Sequence, residues 1–543
     1  MLKKFFPLVF LFVVSIPLVF PFFAPGYFST HDGEWAVIRL AEMDREIRDG
    51  QIPPRWADYL NHGFGYPLFL FTYPGPYYFG EIFHLLGIGL VGSLKLLFIL
   101  SVLLSGCFMY LLGRQLWGTS GGLVSAIFYL YAPFRLVNLF VRGSVGESLS
   151  FALFPLIFYL GINLCQNPSK KWLVLVSLSL AGLILTHNVM AIIFIPLWLL
   201  FLLLIKRSIL VGLKSLGLGL GLSAFFWLPA LIEKKYIILS QVPLSDISRH
   251  FVNLSQLVKP SWSFDTLPSF QLGWVHLVFF FISFSIFLWF SHKRELTRLQ
   301  IISIMYSLAA SLFLILLMLP ISYPVWKLTP FLREIDFPWR LLGPVSFFFS
   351  LPVGILAYHG FEAKTIKSWW LRFFLVFICF SIILANIGYA KPKERIDKGD
   401  NYYRSNDATT TSAGELMPVW VKEKPKERPS KKVELLGSGK IGTLFFNSKK
   451  IEFSVEAEHN LQVKINTVYF PGWKIWVDGK EMKLDYNNPE GLLTFSVEKG
   501  SHWVFGKFTR TPIRVEAEII TLIALALIFW LTLPFLRIKR AIK

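Results

Sequence analysis

The chain has 543 residues, of which 54% are hydrophobic and only 16% are charged. Soluble domains carry about 25% charged residues, and the deficit here comes from uncharged apolar runs near the roughly 20 residues that cross a bilayer. Such runs exclude a soluble fold and the alternating strands of a membrane barrel, so they predict a helical bundle. The net charge of +20 lies mostly in short loops between the runs, which indicates membrane topology rather than nucleic-acid binding.

Several classes of site are excluded by missing patterns. Cys107, Cys165 and Cys379 lie in or at the edge of apolar segments and lack ligand spacing, which argues against a disulfide framework or a zinc site. The sequence contains no Walker A or HExxH pattern, so neither ATP nor zinc is indicated. The apolar runs contain no acid-base relay of the kind that would indicate an ion-coupled transporter.

The apolar runs predict an all-α membrane bundle of about 11–13 spans. The first run follows Lys3 and Lys4 and has no small-residue cleavage site after it, so we expect a retained helix rather than a signal peptide. The runs lie at about 5–25, 92–113, 120–133, 149–166, 172–186, 189–205, 209–230, 276–290, 300–320, 341–358, 370–388 and 517–536. The segment 66–90 is apolar but rich in Pro, Gly and Tyr, and whether it spans the membrane is left open.

Loop charges predict the orientation. The alternate loops that would face the cytoplasm are basic and nearly free of acids, whereas the others are longer and carry both signs of charge. This asymmetry predicts a multi-pass cell-membrane protein whose two termini are cytoplasmic and whose large loops lie outside. We expect a transmembrane domain at 1–388 with an outer loop at 26–91, an outer region at 389–515, and a final helix with a basic tail at 516–543.

The outer region 389–515 has two parts. Its start is polar and basic, and from about residue 430 it contains runs of alternating polarity such as 449–456, separated by turn signals such as Asp478-Gly479. Alternation with period two and frequent turns are typical of antiparallel strands. We therefore predict a linker followed by a small extracytoplasmic β-sandwich before the last span.

The first outer loop carries a candidate catalytic group. His31, Asp32 and Glu34 follow the first span, and the residues after them alternate at helical spacing, which predicts an amphipathic helix lying at the membrane interface. A carboxylate such as Asp32 is suited to act as a general base or to hold a divalent cation. Equally, Asp32 fits the role of a simple helix cap.

Other outer loops supply arginines and further polar groups. Arg135 and Arg142 are suited to bind a lipid-borne phosphate, or else to reach lipid head groups. Because Glu147 starts a span, it also suits the stabilisation of a helix N-terminus. Further polar residues at the predicted outer ends of spans are His187, Asn188, Asp336 and Arg340. Acids and arginines from separate loops at one face predict a site for an anionic lipid-linked ligand.

Four motifs resemble a known family. They are His31-Asp32-Gly33, the arginine segment from Arg135 to Glu147, Thr186-His187-Asn188 and Phe337-Pro338-Trp339-Arg340. They resemble the bacterial membrane proteins called 6-pyruvoyl-tetrahydropterin synthase-related, and 469–479 resembles the C-terminal part of YfhO-type membrane proteins. A pterin synthase needs a histidine-bound zinc, and this sequence contains no such cluster, so the pterin label does not describe its chemistry.

These proteins resemble the GT-C superfamily of multi-span glycosyltransferases. The resemblance implies transfer of a sugar from a polyprenyl-phosphate donor to a glycan or protein acceptor on the extracytoplasmic side. The essential acid of the superfamily maps to Asp32, with Glu34 as second choice. Since the sequence reads Asp-Gly-Glu rather than Asp-Asp, a Mg²⁺ or Mn²⁺ cofactor stays open. Arg135, Arg142 and Arg340 would hold the donor phosphate, with His31, Glu147, His187, Asn188 and Asp336 as secondary site residues.

Two rival functions remain. A transporter or flippase for a lipid-linked glycan predicts polar residues along a path through the bundle, including its cytoplasmic half. A non-catalytic scaffold that displays the β-domain for envelope assembly predicts that substitution of Asp32 is tolerated. The enzyme hypothesis predicts a cavity at the outer leaflet that holds Asp32 and the arginines.

Overall fold

The structure is a computed structural model, and it describes residues 2–206, 209–242, 246–265, 267–358, 368–410 and 414–541. Long helices make up most of the chain before residue 387 and return at the C-terminus. The helices are α1 (Leu2–Val19), α2 (Gly33–Arg48), α3 (Leu68–Phe71), α4 (Gly75–Leu85), α5 (Leu90–Leu130), α6 (Pro133–Val137), α7 (Val145–Gln166), α8 (Lys170–Thr186), α9 (Asn188–Lys206), α10 (Leu210–Leu222), α11 (Ala224–Glu233), α12 (Leu254–Val258), α13 (Trp274–His292), α14 (Arg298–Met318), α15 (Tyr323–Leu328), α16 (Pro330–Arg333), α17 (Leu342–Ser350), α18 (Ser368–Asn386), α19 (Asp400–Ser405) and α20 (Pro512–Ala541).

Among the described residues, eight helices are long and apolar enough to cross a membrane, or nine if the bent pair α10 and α11 forms one span. This count is below the twelve predicted runs partly because 92–113 and 120–133 both lie in α5, whose backbone is non-helical at Gly118. In addition, α8 has only 17 residues. The predicted helical membrane bundle is confirmed. The predicted inner loop after 341–358 lies largely outside the described residues, at 359–367.

The outer surface of the bundle is apolar. Helix α5 packs against α1 and α7 at the centre, while aromatic side chains on peripheral helices point outward. Phe281, Phe313, Phe377 and Phe529 are each more than half exposed. Contiguous apolar surface of this kind is rare on soluble monomers, so these helix faces are the ones that hydrocarbon covers.

The segment 66–90 does not span the bundle. Its two helices, α3 and α4, have 4 and 11 residues, well short of the ~20 that a span requires. Helix α4 packs instead against α2 and α5. The segment is thus part of a folded cap built from the first predicted outer loop.

Helix α2 is not the interfacial helix that the sequence predicts. Part of its charged face is covered by the linker, and Asp44 and Glu46 are fully buried. Arg404 donates a hydrogen bond to Asp44 over 2.8 Å, and Arg39 Nε donates to Thr410 Oγ1 over 3.1 Å. The prediction was wrong because helical periodicity identifies a polar face without identifying what covers it.

The strands are short and antiparallel. They are β1 (Tyr27–Phe28), β2 (Arg395–Ile396), β3 (Val433–Leu436), β4 (Gly439–Phe446), β5 (Lys450–Ala457), β6 (Leu461–Val468), β7 (Trp473–Val477), β8 (Lys480–Glu481), β9 (Leu492–Val497) and β10 (Gly500–Phe508). One sheet has the order β4-β5-β10-β7-β8, a second has β3-β6-β9, and β1 pairs with β2. Alternate residues of β5, such as Phe453 and Val455, are buried between the two larger sheets, as expected for a sandwich.

A buried ion pair joins the β-sandwich to the bundle. Arg514 at the start of α20 donates two hydrogen bonds to Glu233 at the end of α11, over 2.8 and 3.0 Å. Arg514 also donates to the carbonyl of Pro471 over 2.8 Å. The motif at 469–473 therefore serves as an attachment point, which keeps the sandwich against the membrane helices.

Candidate functional site

The loop before α2 is held by backbone hydrogen bonds to the arginine segment. His31 N–H donates to Val141 O over 3.0 Å, and Asp32 N–H donates to Arg142 O over 2.8 Å. Gly143 closes this segment with a φ of 64°, and a Cβ there would collide with Thr30 Oγ1 and lie 2.9 Å from Gly33 N. The close approach of the two segments therefore depends on a glycine at this position.

Asp32 occupies the N-cap position of α2, but its carboxylate does not cap the helix. Thr30 Oγ1 accepts the hydrogen bond of Gly33 N–H instead, over 3.0 Å. No hydrogen bond to the Asp32 carboxylate is found in the part of the chain that the structure describes, and the side chain is half-buried. The carboxylate is consequently available to a ligand or to a proton donor.

Arg142 and Glu147 form the centre of a buried polar cluster. Arg142 Nη1 donates hydrogen bonds to Glu147 Oε2 and to Asn138 Oδ1, and its guanidinium lies 4.7 Å from the ring centroid of Trp339. Arg142 is 5% exposed and Glu147 is fully buried. A buried charge of either sign needs its partner to offset the loss of hydration, so the two side chains hold each other in place.

The second oxygen of Glu147 faces two further residues. Oε1 lies 3.5 Å from Arg340 Nε and 3.8 Å from His187 Nε2, and it accepts no hydrogen bond from the described residues. Met190 N–H donates to His187 Nδ1 over 3.2 Å, which assigns the ring proton of a neutral His187 to Nε2. Arg340 Nη1 also contacts Asp336 Oδ2 at 2.9 Å. Glu147 Oε1 and Arg340 Nε thus retain unused hydrogen-bonding capacity.

Charges in this region act on one another. Burial lowers the pKa of Arg142, but the charge of Glu147, followed by that of Asp32, raises it above the usual value. Burial raises the pKa of Tyr73, and the nearby charges of Asp32 and Glu147 add to that rise. Asp32 and Glu147 therefore act electrostatically on a shared set of neighbours, consistent with one site.

A cleft of about 900 Å³ opens beside the cluster. Its lining is mostly apolar, and the charged residues that line it are three basic ones, Lys234, Lys327 and Arg333, and three acidic ones, Asp246, Glu334 and Asp336. The apolar lining includes Ile192, Ile195, Pro196, Leu216 and Leu220. Asn188 and Asp336 line the cleft and connect it to the cluster, since Asn188 follows His187 and Asp336 is paired with Arg340.

The cleft differs from the predicted cavity in one respect. Among the described residues that line it, Asp336 and Arg333 are present, but Asp32, Arg142 and Arg340 are not. The cluster thus lies next to the cleft rather than on its wall.

Arg135 lies apart from the other predicted arginines. It is 1% exposed, and Nη2 donates to Ser101 O over 3.1 Å and to Ser105 Oγ on α5. The sequence grouped Arg135 with Arg142 because both belong to one short segment. The helical turns between them direct the two guanidinium groups to different neighbours.

His31 and Glu34 flank Asp32 but make different contacts. His31 Nε2 lies 3.4 Å from the carbonyl of Phe264, in the loop before α13. Glu34 is half-buried in the first turn of α2, and burial raises its pKa. Of the two predicted catalytic residues Asp32 and Glu34, only Asp32 has its backbone hydrogen-bonded to the backbone of Arg142 among the described residues.

Tyr73 and Trp339 were missed as site residues. The Tyr73 ring lies 4.8 Å from the His187 ring, between centroids, and Trp339 covers Arg142. Both belong to Pro- and aromatic-rich segments that are equally typical of a membrane-interface belt. Trp339 lies next to Arg340 within a conspicuous motif, and this proximity was the available signal.

The described residues offer no group of three or more His, Cys, Asp or Glu side chains that would hold a metal ion. Asp32 and Glu34 alone do not make up a site of the kind that protein ligands usually provide for Mg²⁺ or Mn²⁺. The residues present do not fit a metal centre built from protein ligands only.

The fold and the site belong to a multi-span membrane protein whose polar cluster is assembled from separate loops. A family model described as "6-pyruvoyl-tetrahydropterin synthase related domain; membrane protein" matches residues 71–389, which is more than half of the chain. The chain belongs to this family. Glu147, His187 and Arg340 fall inside the matched range, and Asp32 precedes it.

One curated relative is an uncharacterized protein of Lactococcus lactis subsp. cremoris. It is 29% identical over 339 residues, which cover 58% of this chain and 53% of the relative. The chain therefore spans about half the length of the curated relative that it matches.

Solved structures of three membrane enzymes are similar in part. ArnT from Cupriavidus metallidurans, bound to undecaprenyl phosphate, is 14% identical with a TM-score of 0.41, and 70% of this chain and 71% of ArnT are covered. The Archaeoglobus fulgidus oligosaccharyltransferase is 13% identical with a TM-score of 0.43, covering 75% and 56%. Arabinofuranosyltransferase AftD from Mycobacteria is 13% identical with a TM-score of 0.44, covering 72% and 27%. All three scores are below 0.5, so the likeness is partial.

Proposed function

We propose that this protein is an integral membrane glycosyltransferase that moves a sugar from a polyprenyl-phosphate donor to a cell-envelope acceptor on the extracytoplasmic side. The observation that carries the proposal is the junction of the Asp32 loop with the Arg142–Glu147–Arg340–His187 cluster. These residues come from four separate parts of the chain, and a carboxylate free of internal hydrogen bonds lies beside a buried cationic network. Convergent groups of this kind are typical of a catalytic site.

Each group has an assigned role in an inverting transfer. Asp32 takes the proton from the acceptor hydroxyl, whose oxygen attacks the anomeric carbon of the donor sugar. The bond between that carbon and the phosphate oxygen breaks, and its electron pair leaves with polyprenyl phosphate. Arg340, whose Nε donates no hydrogen bond to the described residues, stabilises the phosphate charge. Arg142 and Glu147 hold Arg340 and the Asp32 loop in position.

The adjacent cleft supports a lipid-linked donor. Its lining is mostly apolar, which suits a polyprenyl chain, and Lys327 and Arg333 supply cations that suit a phosphate, whereas Lys234 is paired with Glu334. Asn188 and Asp336 connect the cleft to the cluster. We propose that the donor phosphate lies at this connection, on the side of the Asp336–Arg340 pair.

We assign the binding of the acceptor to the β-sandwich. Phe445, Trp476, Trp503 and Phe505 project from the outward face of its five-stranded sheet, and Trp503 is 48% exposed. The Trp476 and Phe505 ring centroids are 5.6 Å apart. Exposed neighbouring rings provide an apolar platform with polar edges, which suits a glycan chain. In a sugar-transfer assay with the purified protein, Trp503→Ala is expected to raise the acceptor KM and leave kcat unchanged.

The test is sugar transfer by the purified full chain in lipid nanodiscs, with a panel of polyprenyl-phosphate sugars and envelope glycans. Asp32→Asn is expected to lower kcat by about 10²–10⁴-fold, the usual contribution of a general base. The exposed Glu458→Gln makes the same chemical change and serves as the control. Equal activity of Asp32→Asn and wild type would remove Asp32 from the mechanism, and inactivity of the wild type with every donor would overturn the enzyme proposal.

A further inference from the structure

A second pocket, separate from the cluster and the cleft, lies where the first outer loop, the β-sandwich and α20 meet. Its volume is about 300 Å³. Four cationic side chains line it, from Arg55, Lys449, Lys507 and Arg510, together with one carboxylate from Glu518. The lining therefore carries a net charge of +3, which predicts an anionic ligand.

Internal contacts leave this charge largely uncompensated. Arg55 and Arg510 both pair with Glu518, over 2.9 and 3.0 Å. Lys449 Nζ donates to the carbonyl of Gly50 over 3.0 Å, and Lys507 has no carboxylate partner within the described ranges. Burial lowers the pKa of Arg55 to about 10, and the neighbouring charge of Arg514 adds to this decrease. The crowded cations would gain from a bound anion.

The surroundings of the pocket identify the source of that anion. Glu518 lies inside the candidate span Pro512–Leu533, so the pocket opens at the level where this helix enters the membrane. Val515, Ile519 and Leu522 recur at helical spacing on α20 and are 41%, 50% and 64% exposed. This apolar stripe lies on either side of Glu518, which lines the pocket, and it matches the acyl chains of a lipid whose head group occupies the pocket.

We propose that this pocket binds the phosphate group of a membrane lipid from the leaflet on the predicted outer side. The phosphate contacts Lys449, Lys507 and Arg510, and the acyl chains lie along the exposed stripe of α20. Such a lipid bridges the first outer loop, the β-sandwich and the last span. The proposal is independent of sugar transfer, because the pocket shares no residue with the cluster or the cleft.

The test measures lipid binding to delipidated full-length protein in a neutral detergent by native mass spectrometry. The probes are phosphatidylglycerol, polyprenyl phosphate, phosphatidylcholine and soluble glycerol phosphate. Lys449→Gln combined with Lys507→Gln is expected to weaken phosphatidylglycerol binding by about thirtyfold, the effect of two basic residues at an anionic membrane surface. Neither lysine pairs with Glu518, so the ion pairs that support the fold are retained.

Lys440→Gln combined with Lys499→Gln is the matched control, since it removes two exposed cations from the same β-sandwich. An equal loss in both double variants would mean diffuse electrostatic attraction and would overturn the site. Displacement of bound lipid by equimolar glycerol phosphate would overturn the lipid assignment in favour of a free phosphate. Tighter binding of polyprenyl phosphate than of phosphatidylglycerol would support the site and identify the carrier lipid as its source.

Discussion

At the residue scale, the carboxylate of Asp32 is free because neighbouring groups take over its structural role. Thr30 caps α2, and the backbone of Arg142 accepts the hydrogen bond from Asp32 N–H. Gly143 permits this contact, since its backbone is left-handed and any Cβ would strike Thr30. Asp32 therefore occupies a cap position without acting as the cap.

Gly143→Ala is expected to reduce sugar transfer although it replaces none of the polar site residues. The substitution strains a left-handed backbone by about 1 kcal/mol and pushes the Thr30 segment away. Displacement of a catalytic group by about 1 Å can cost roughly 10²-fold in rate. The measurement compares kcat and the melting temperature for Gly143→Ala and the wild type.

Gly118→Ala is the matched control for this prediction. Gly118 has a φ of 73°, close to the 64° of Gly143, but a Cβ there meets nothing within 4 Å. Gly118 has a ψ of −177°, a conformation that is essentially restricted to glycine, so Gly118→Ala carries at least as much backbone strain as Gly143→Ala, and only Gly143→Ala moves the Asp32 loop. A comparable loss of activity in the two variants would show that strain alone, rather than loop position, is responsible.

At the scale of elements, α2 is a charged helix placed inside a protein cap. Glu42 and Glu46 are buried, and neither carboxylate oxygen of Glu46 accepts a hydrogen bond from the described residues. Burial raises the pKa of Glu42 to about 8 and that of Glu46 well above its usual value. The folded protein therefore keeps protons that the unfolded chain releases above about pH 4.3.

Stability is accordingly expected to fall as the pH rises from about 5 toward 8, by about 1.4 kcal/mol per pH unit for each retained proton. The sign follows because the native state binds more protons than the unfolded state across this window. Glu46→Gln mimics the protonated side chain and should flatten this dependence and raise the melting temperature at pH 8. Thermal unfolding in detergent at several pH values measures both effects. An unchanged slope in Glu46→Gln, equal to that of the exposed Glu458→Gln, would contradict the assignment.

At the scale of the whole molecule, one buried ion pair lies where the sandwich meets the membrane helices. Glu233 and Arg514 are almost completely buried, and Thr511 Oγ1 donates a further hydrogen bond to Glu233 Oε1 over 2.6 Å. Gly472 lies against the Arg514 guanidinium, where a Cβ would approach Nη1 to 2.7 Å. The pair therefore links α11, α20 and the loop before β7.

Glu233→Gln is expected to destabilise the protein by about 3–5 kcal/mol, because it leaves the buried guanidinium of Arg514 without a counter-charge. Loosening of the sandwich should also increase protease cleavage in the linker near 414–432. Glu481→Gln breaks an exposed pair with Lys474, whose side chains are about half exposed, and should cost less than about 1 kcal/mol. Equal stability of these two variants would show that the buried pair is not what attaches the sandwich.

The sequence by itself determined the membrane bundle, the strand-rich region and most members of the polar cluster. Apolar runs of spanning length have few alternative structures in a bilayer, and alternating polarity has a direct physical meaning for strands. Only the tertiary structure decided the partners of individual charges. In the folded protein, Arg135 binds α5 and Arg142 pairs with Glu147. The linker covers part of the polar face of α2, and Asp32 does not cap its helix. Periodicity and loop charge report which faces are polar, whereas the contact that each polar face makes depends on segments hundreds of residues away.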